Sequence, residues 1–170
     1  KDFKEKYRFI GIKNDEINPF YTLAMEDNPS NQYHRSKNFS RKRLEKFANK
    51  IKFPKVSKNR RIKIGFYSSD FYEHATMYLI SGLFREYNKD KFEFYTFNYS
   101  KHKPSERIKQ ILSNTNEKNI LNLPDIDVVK LSRELNIDIA IDLKGYTLDS
   151  RTKLFSYRLA PIQVNYLGYP

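Results

Sequence analysis

The sequence predicts an α/β protein built on a Rossmann-like parallel sheet with flanking helices, preceded by linker helices. From residue 62 onward, short runs of β-branched and aromatic residues alternate with stretches of helical periodicity. Strands separated by helices of this length join through right-handed crossovers, which make the strands parallel. Before residue 62 the pattern is helical only. We therefore divide the chain into a helical linker segment, residues 1–61, and a Rossmann-like lobe, residues 62–170.

The linker segment is predicted to hold two helices. The first covers residues 17–25, where Asn18 can act as the cap and Pro19 takes the first helical position. Residues 27–29 form a break. A longer amphipathic helix with a basic outer face follows, and it is expected to stop near Pro54.

The chain has a net charge of +12, and this charge lies in one segment, residues 35–63. The segment holds 13 Lys and Arg residues and one acid, Glu45, so its own net charge is also +12. One interpretation is a binding module for nucleic acid, another phosphate-rich molecule or an acidic partner, and the other is a solvated helix face. Because the segment lacks zinc-finger spacing and the aromatic pattern of RNA-recognition motifs, we favour the second and expect no nucleic-acid partner.

The lobe is predicted to contain five strands and four helices in strict alternation. The predicted strands cover residues 62–67, 92–98, 120–123, 137–143 and 162–166. The predicted helices cover residues 77–87, 105–112, 125–135 and 150–157.

The composition limits the class of protein. The sequence contains no cysteine, which excludes disulfides and thiolate-zinc sites and fits a reducing cytoplasm. The most apolar run, residues 137–143, is broken by Asp138 and Asp142, so no segment reaches the roughly 20 apolar residues that span a bilayer. We expect a cytoplasmic protein with no membrane partner.

In a parallel sheet, ligands meet the loops at the carboxyl ends of the strands. The first such loop, SSDFYEHATMYL, carries Asp70 and His74 just before a predicted helix. A helix N-terminus attracts anions and a histidine can move a proton near neutral pH, which suggests a catalytic loop. The alternative is a capping loop, with Asp70 or Thr76 as the cap and His74 merely exposed. Gly65 alone does not make a dinucleotide fingerprint.

Two further loops are predicted at the same edge. The second, KGYTLDSR, offers a tight turn at Gly145 and hydroxyl groups on Tyr146 and Thr147. Asp138 and Asp142 fall on one side of the preceding strand, where an aspartate most often bonds neighbouring backbone or an arginine such as Arg151. The alternative to a ligand-binding loop is a left-handed turn followed by a helix cap at Asp149 or Ser150. The third loop is LGYP at the end of the sequence.

Three segments carry a resemblance to a known family. They are INPFYTLAMEDNP, RIKIGFYSSDFYEHATMYLISGLF and DLKGYTLDSRTKLFSYRLAPIQVNYLGYP. Together they resemble the catalytic region of O-linked N-acetylglucosamine transferases and SPINDLY-like enzymes, glycosyltransferase family 41, from residue 17 to the last residue.

This resemblance implies a GT-B architecture, with two Rossmann-like lobes, a cleft between them and tetratricopeptide repeats before them. Family enzymes transfer a sugar from a nucleotide donor, such as UDP-N-acetylglucosamine, to Ser or Thr of an acceptor protein, with inversion and without a metal or other cofactor. The present residues would be the first lobe, and we expect them to be inactive without the second. Another sugar or an Asn acceptor stays an alternative.

The resemblance also implies site residues. His74 matches the histidine of the family's D-F-x-x-H loop, close to the reacting sugar, and Asp70 is expected to orient it. We take His74 as the only histidine on a carboxyl-end loop. The positions implied to contact substrate are Gly145, Tyr146, Thr147, Arg151, Gly168, Tyr169 and Pro170. Asp138 and Asp142 are possible acceptor-side groups, although animal transferases have histidine in place of Asp138, and Ala75 replaces the family's usual proline.

Overall fold

The computed structural model describes residues 9–12, 16–48, 53 and 60–169. Its helices are α1 (Pro29–Arg43), α2 (Ala75–Glu86), α3 (Glu106–Leu112), α4 (Asp125–Glu134) and α5 (Lys153–Ser156). Its strands are β1 (Ile62–Ser68), β2 (Phe92–Asn98), β3 (Asn116–Asn119), β4 (Ile139–Asp142) and β5 (Ile162–Asn165). The strands form one parallel sheet in the order β3-β2-β1-β4-β5. The predicted α/β fold with a parallel sheet is confirmed.

Helices cover both faces of the sheet because consecutive β1 side chains point to opposite sides. Phe66 packs at 5.0 Å, ring centre to ring centre, against both Phe84 of α2 and Phe94 of β2. Tyr67 stacks at 4.2 Å on Phe97 on the other face. Each of these five residues is at most 2% exposed to solvent. The result is a three-layer arrangement with an aromatic core on each side of β1.

The prediction of the third strand was wrong by four residues. The strand was expected at residues 120–123 but is β3, a polar run at the edge of the sheet that pairs with β2 alone. An edge strand does not need the apolar residues that the prediction relied on. Ile120 instead follows β3, fully buried, and its N–H donates to the Asn98 carbonyl.

The long basic helix is shorter than predicted. It ends at Arg43 and is followed by a 3-10 turn, Glu45–Phe47, whereas the prediction continued it to near Pro54, which lies outside the described residues. Phe47 packs at 5.3 Å against Tyr157, and the Lys153 ammonium lies 4.2 Å from its ring centre. Phe47 is therefore positioned by its contact with the α5 region and not by a continuous helix.

The helix predicted at residues 150–157 is reduced to the single turn of α5. Asp149 and Arg158 adopt left-handed backbone conformations, with φ of 57° and 60°, and these residues bound the turn on either side. A left-handed residue cannot continue a right-handed helix.

The first linker helix is a 3-10 turn, Pro19–Thr22, and its predicted cap is present. The Asn18 side chain accepts from the Phe20 N–H at 2.9 Å, and Asn28 caps α1 in the same way through the Asn31 N–H. Within the described parts of the chain, no helix has the length and apolar character required to cross a membrane.

The linker segment packs directly on the lobe. The Asn18 Nδ2 group donates to the Tyr146 carbonyl at 2.9 Å, and Phe39 of α1 meets the Tyr146 ring edge-on at 5.3 Å. Arg35, one of the basic residues of α1, is buried and pairs with Glu26. Part of the basic helix therefore has a structural role.

Candidate functional site

Two loops predicted to carry chemistry meet at the carboxyl edge of the sheet. Strands β1 and β4 are neighbours, with Tyr67 opposite Asp142, so the loops that follow them lie side by side. Between these loops and the loop after β2 is a polar pocket, which we call the His74 pocket. It is lined by Ser69, Asp70, Tyr72, His74, Tyr99, Lys101, His102, Lys144, Leu148 and Asp149.

His74 caps helix α2 with its own side chain. Its Nδ1 atom accepts from the Thr76 backbone N–H at 3.2 Å. A backbone N–H is always a donor, so Nδ1 must present a lone pair, and the proton of the neutral ring lies on Nε2. The His74 side chain is 37% exposed at the pocket, and among the described residues its polar contacts are made through Nδ1 and not Nε2. The ring therefore offers the pocket a hydrogen-bond donor.

Asp70, which was expected to orient His74, pairs most closely with Lys144. The Lys144 ammonium donates to the Asp70 oxygens at 2.8 and 2.9 Å, and both side chains are less than a tenth exposed. The nearest Asp70 oxygen is 3.5 Å from Nδ1 of His74. The Thr76 hydroxyl lies between these groups, 3.1 Å from Nδ1 and 3.4 Å from Asp70 Oδ2.

Glu73 fastens this loop to helix α3. Its carboxylate accepts from Arg107 Nη2 at 2.7 Å and from the Tyr78 hydroxyl at 2.9 Å. The pKa of Glu73 is lowered to about 2, and the hydrogen bond from Arg107 is the main cause. The residue that precedes His74 is thus held from two helices.

The loop after β4 is pressed against the loop after β5. The Tyr146 N–H donates to the Tyr169 carbonyl at 2.6 Å, and Gly145 forms a parallel bridge with Tyr169. Gly145 has a φ of 55°, and a Cβ atom there would lie 1.9 Å from the Tyr169 oxygen. A Cβ on Gly168 would lie 2.3 Å from the Lys144 carbonyl carbon. Both glycines are required by this close approach of two backbones.

These loops carry motifs that are also found in known proteins. The sequence model of the family described as Glycosyl transferase family 41 matches residues 36–170. The chain belongs to glycosyl transferase family 41. The resemblance found in the sequence is therefore confirmed.

Several relatives of this family 41 chain are named as transferases. The chain is 31% identical over 112 residues to a probable UDP-N-acetylglucosamine–peptide N-acetylglucosaminyltransferase, SEC, of Arabidopsis thaliana, covering 65% of this chain and 12% of the relative. It is 31% identical over 120 residues to a UDP-N-acetylglucosamine–peptide N-acetylglucosaminyltransferase of Caenorhabditis elegans, covering 68% of this chain and 10% of the relative. The chain thus spans about a tenth of the length of these relatives.

A solved structure has the same fold. It is a mutant of the Thermobaculum terrenum O-GlcNAc transferase, which superposes with a TM-score of 0.80 at 19% identity. The match covers 89% of this chain and 30% of that chain. The Rossmann-like lobe predicted from the sequence is therefore a fold also found in that O-GlcNAc transferase.

Asp142 lies at the end of β4, beside a second, more apolar pocket. Its Oδ1 atom accepts from the backbone N–H groups of Lys144 at 2.9 Å and Gly145 at 3.1 Å. Burial raises the pKa of Asp142 to about 6, against the opposing effect of those two bonds. We call this second cavity the Asp142 pocket, and it is lined by Asp142, Gly145, Tyr146, Thr152, Phe155, Gln163, Val164 and Asn165.

Three other residues of the family 41 motif have structural contacts. Tyr146 is 8% exposed, and its ring packs on the linker segment. The Thr147 hydroxyl donates to the Lys144 carbonyl at 2.8 Å and closes the turn. Arg151 binds Asp125 at 2.7 Å and lines neither pocket.

Asp138 lies at the opposite end of β4 from Asp142. Its carboxylate binds Arg60 through two bonds of 2.7 Å and accepts from the Lys63 N–H at 2.8 Å. The structure thus supports the interpretation of a carboxylate held by an arginine and by backbone, and it places Asp138 away from both pockets. Tyr169 and Gly168 form the loop contact above, and Pro170 lies outside the described residues.

Sequence reasoning missed two residues of the His74 pocket. His102 follows β2, also at the carboxyl edge, so His74 is not the only histidine on such a loop; the Tyr72 ring lies 4.4 Å from His102 and 5.4 Å from His74. The position of His102 after a correctly predicted strand was a sufficient signal. Lys144 had no such signal, because a sequence does not show which lysine is buried.

Proposed function

We propose that this chain is part of a protein O-glycosyltransferase that moves a sugar, N-acetylglucosamine or one like it, from a UDP donor to Ser or Thr with inversion. The observation that carries the proposal is the family 41 match over residues 36–170, whose motif loops converge at the carboxyl edge of the sheet. The names of the relatives support the donor and the peptide acceptor.

The relatives are much longer than this chain, which supports an active site built partly from residues outside it. We infer that a second lobe completes the donor site, that tetratricopeptide repeats join the linker segment, and that the enzyme works in the cytoplasm without a metal or other cofactor. In this arrangement the His74 pocket faces the reacting groups from the first lobe.

His74 contributes a hydrogen-bond donor in this proposal. Inverting transfer requires the acceptor hydroxyl oxygen to stand in line with the anomeric carbon while the bond to the diphosphate breaks and the hydroxyl proton passes to a base. The Nε2–H group of His74 can orient an oxygen of the acceptor or of the sugar. Since that nitrogen already carries the proton of the neutral ring, it does not serve as the base.

The test is transfer of labelled N-acetylglucosamine from the UDP donor to acceptor proteins by the complete protein, with and without a chelator. We expect transfer in both conditions, and a loss of roughly a hundred-fold or more in the His74→Ala variant. A donor bearing a different sugar that outperforms the first would replace the sugar but keep the reaction class. No transfer from any nucleotide sugar would contradict the proposal.

His74→Asn is the matched control. Asn is a strong N-cap, so it should restore the roughly 1 kcal/mol of stability that His74→Ala loses with the cap. It does not restore the imidazole, so transfer should stay low. Recovery of full transfer with Asn would show that the cap, and not the ring, matters to the reaction.

A further inference from the structure

Lys144 is a buried lysine in the loop after β4 to which the sequence assigned no role. We propose that Lys144 is a positioning residue: by pairing with Asp70, it keeps Nδ1 of His74 unprotonated, so that Nδ1 accepts the Thr76 N–H and the ring is held with its Nε2–H group toward the pocket. The consequence for sugar transfer rests on the proposed function, whereas the state of the ring can be measured without it.

The geometry places one carboxylate between two groups that can be cationic. Asp70 accepts both bonds from the Lys144 ammonium, at 2.8 and 2.9 Å, and its Oδ2 atom is 3.5 Å from His74 Nδ1. Asp70 and Lys144 are 6% and 7% exposed, so water screens this pair weakly. The charge of Lys144 therefore offsets the charge that His74 would otherwise face.

Removal of the ammonium would leave a buried carboxylate beside an imidazole. An opposite charge at this distance favours the protonated ring and shifts a titration by about 1–3 pH units. The added proton would go to Nδ1, which faces Asp70, and the cap bond from the Thr76 N–H would be lost. Lys144 thus protects both the charge state of His74 and its hydrogen bond to α2.

The other charged and titratable groups around His74 do not supply this effect. Lys101 and Asp149 pair with each other at 3.1 Å at the mouth of the pocket. The Tyr72 ring stands between His74 and His102, and Glu73 is bound to helix α3. Among the residues that the structure describes, Asp70 is the carboxylate that pairs with the His74 ring, and Lys144 is its cationic partner.

The test is an NMR titration of the chain labelled with 15N-histidine. The sequence has three histidines, and the His74→Asn variant identifies the His74 signals by their absence. In the unsubstituted chain we expect the nitrogen shifts of a neutral ring with its proton on Nε2 at pH 7. In Lys144→Met we expect the midpoint of the His74 titration to rise by about 1–3 pH units.

Two further variants keep the test decisive if Lys144→Met does not fold. Asp70→Asn leaves the Lys144 charge unpaired, so the His74 midpoint should move to lower pH, the opposite direction. Asp70→Asn combined with Lys144→Met removes both charges and should return the midpoint to that of the unsubstituted chain. A ring with its proton on Nδ1 in the unsubstituted chain, or a midpoint that none of the variants moves, would overturn the proposal.

The pH profile of transfer by the complete protein separates positioning from a merely structural role. Lys144→Met should be weakly active at pH 7, because a ring protonated at Nδ1 loses its bond to the Thr76 N–H and with it its fixed orientation. Activity should return at higher pH, where Nδ1 accepts again, while Lys144→Arg should keep the original profile. A loss of equal size at every pH would indicate a structural role and count against the proposal. If no variant or parent transfers sugar, the proposed function fails, but the NMR result still stands.

Discussion

Asp142 is a carboxylate buried at the carboxyl end of β4, and it is 4% exposed. Burial raises its pKa from 3.8 to about 6. The folded state therefore keeps the Asp142 proton up to a higher pH than the unfolded state does. As a result, the contribution of this group to stability is complete below about pH 4 and is lost as the pH rises through 6.

We predict that Asp142→Asn removes this pH dependence. The Asn carbonyl can still accept the N–H groups of Lys144 and Gly145, but it does not ionise. The variant should match the parent at pH 4 and exceed it by up to ~3 kcal/mol in free energy of unfolding at pH 8. Urea denaturation of both proteins between pH 4 and 8 measures this difference. If the free energies of unfolding of the two proteins differed by the same amount at every pH in that range, the raised pKa of Asp142 would be contradicted.

Single residues also mark the limit of prediction from the sequence. His74 was found because it stands in a family motif after an apolar strand, but the alternative of a capping loop named Asp70 or Thr76, and not His74, as the cap. The choice between caps depends on which side chain reaches the Thr76 N–H, and that is decided by the pairing of Asp70 with Lys144, 74 residues away. Sequence patterns of short range do not contain that contact.

At the level of the elements, the two glycine loops form the tightest contact of the site. Gly145→Ala would place a methyl group 1.9 Å from the Tyr169 oxygen at a φ of 55°. We predict a loss of more than ~2 kcal/mol in free energy of unfolding, because both the steric clash and the left-handed backbone oppose Ala. Thermal or urea unfolding measures it.

Gly82→Ala in helix α2 is the matched control. A Cβ at Gly82 meets no atom within 4 Å, and Ala is favoured over Gly in a helix by about 0.5–1 kcal/mol. The same substitution should therefore stabilise the protein there. Destabilisation at both positions would mean that the loop contact is not the cause at Gly145.

Elements buried on both faces were predicted best. Strand β2 was predicted with the bounds Phe92–Asn98 that the structure has, because its run of aromatic residues fills both cores. Strand β3 and helix α5 were placed wrongly, since an exposed edge strand carries no apolar pattern and a helix bounded by left-handed residues is set by the loops around it. Local patterns thus predict the centre of the sheet and lose accuracy at its edge.

In the molecule as a whole, the linker segment and the lobe were predicted as separate parts, with the boundary at residues 61 and 62. The structure shows that the linker segment contacts the Gly145 loop: Phe39 of α1 packs on the Tyr146 ring, and Asn18, which caps the 3-10 turn, donates to the Tyr146 carbonyl. Tyr146 in turn donates to Tyr169. The linker segment therefore contacts the Gly145 loop directly and, through the bond between Tyr146 and Tyr169, the loop after β5.

We predict that the two parts unfold in one transition and that Phe39→Ala lowers the free energy of that transition by about 2 kcal/mol, since it removes a half-buried ring. The control is Tyr33→Ala on the same helix, where the ring is 60% exposed and the expected change is within about 0.5 kcal/mol. Urea unfolding, followed by circular dichroism and by tyrosine fluorescence, measures the number of transitions and the free-energy change of each variant. If the parts were independent, the two probes would separate and Phe39→Ala would leave the transition of the lobe unchanged. If both probes instead shift together in Phe39→Ala, the packing of Phe39 on Tyr146 stabilises the linker segment and the site loops as one unit.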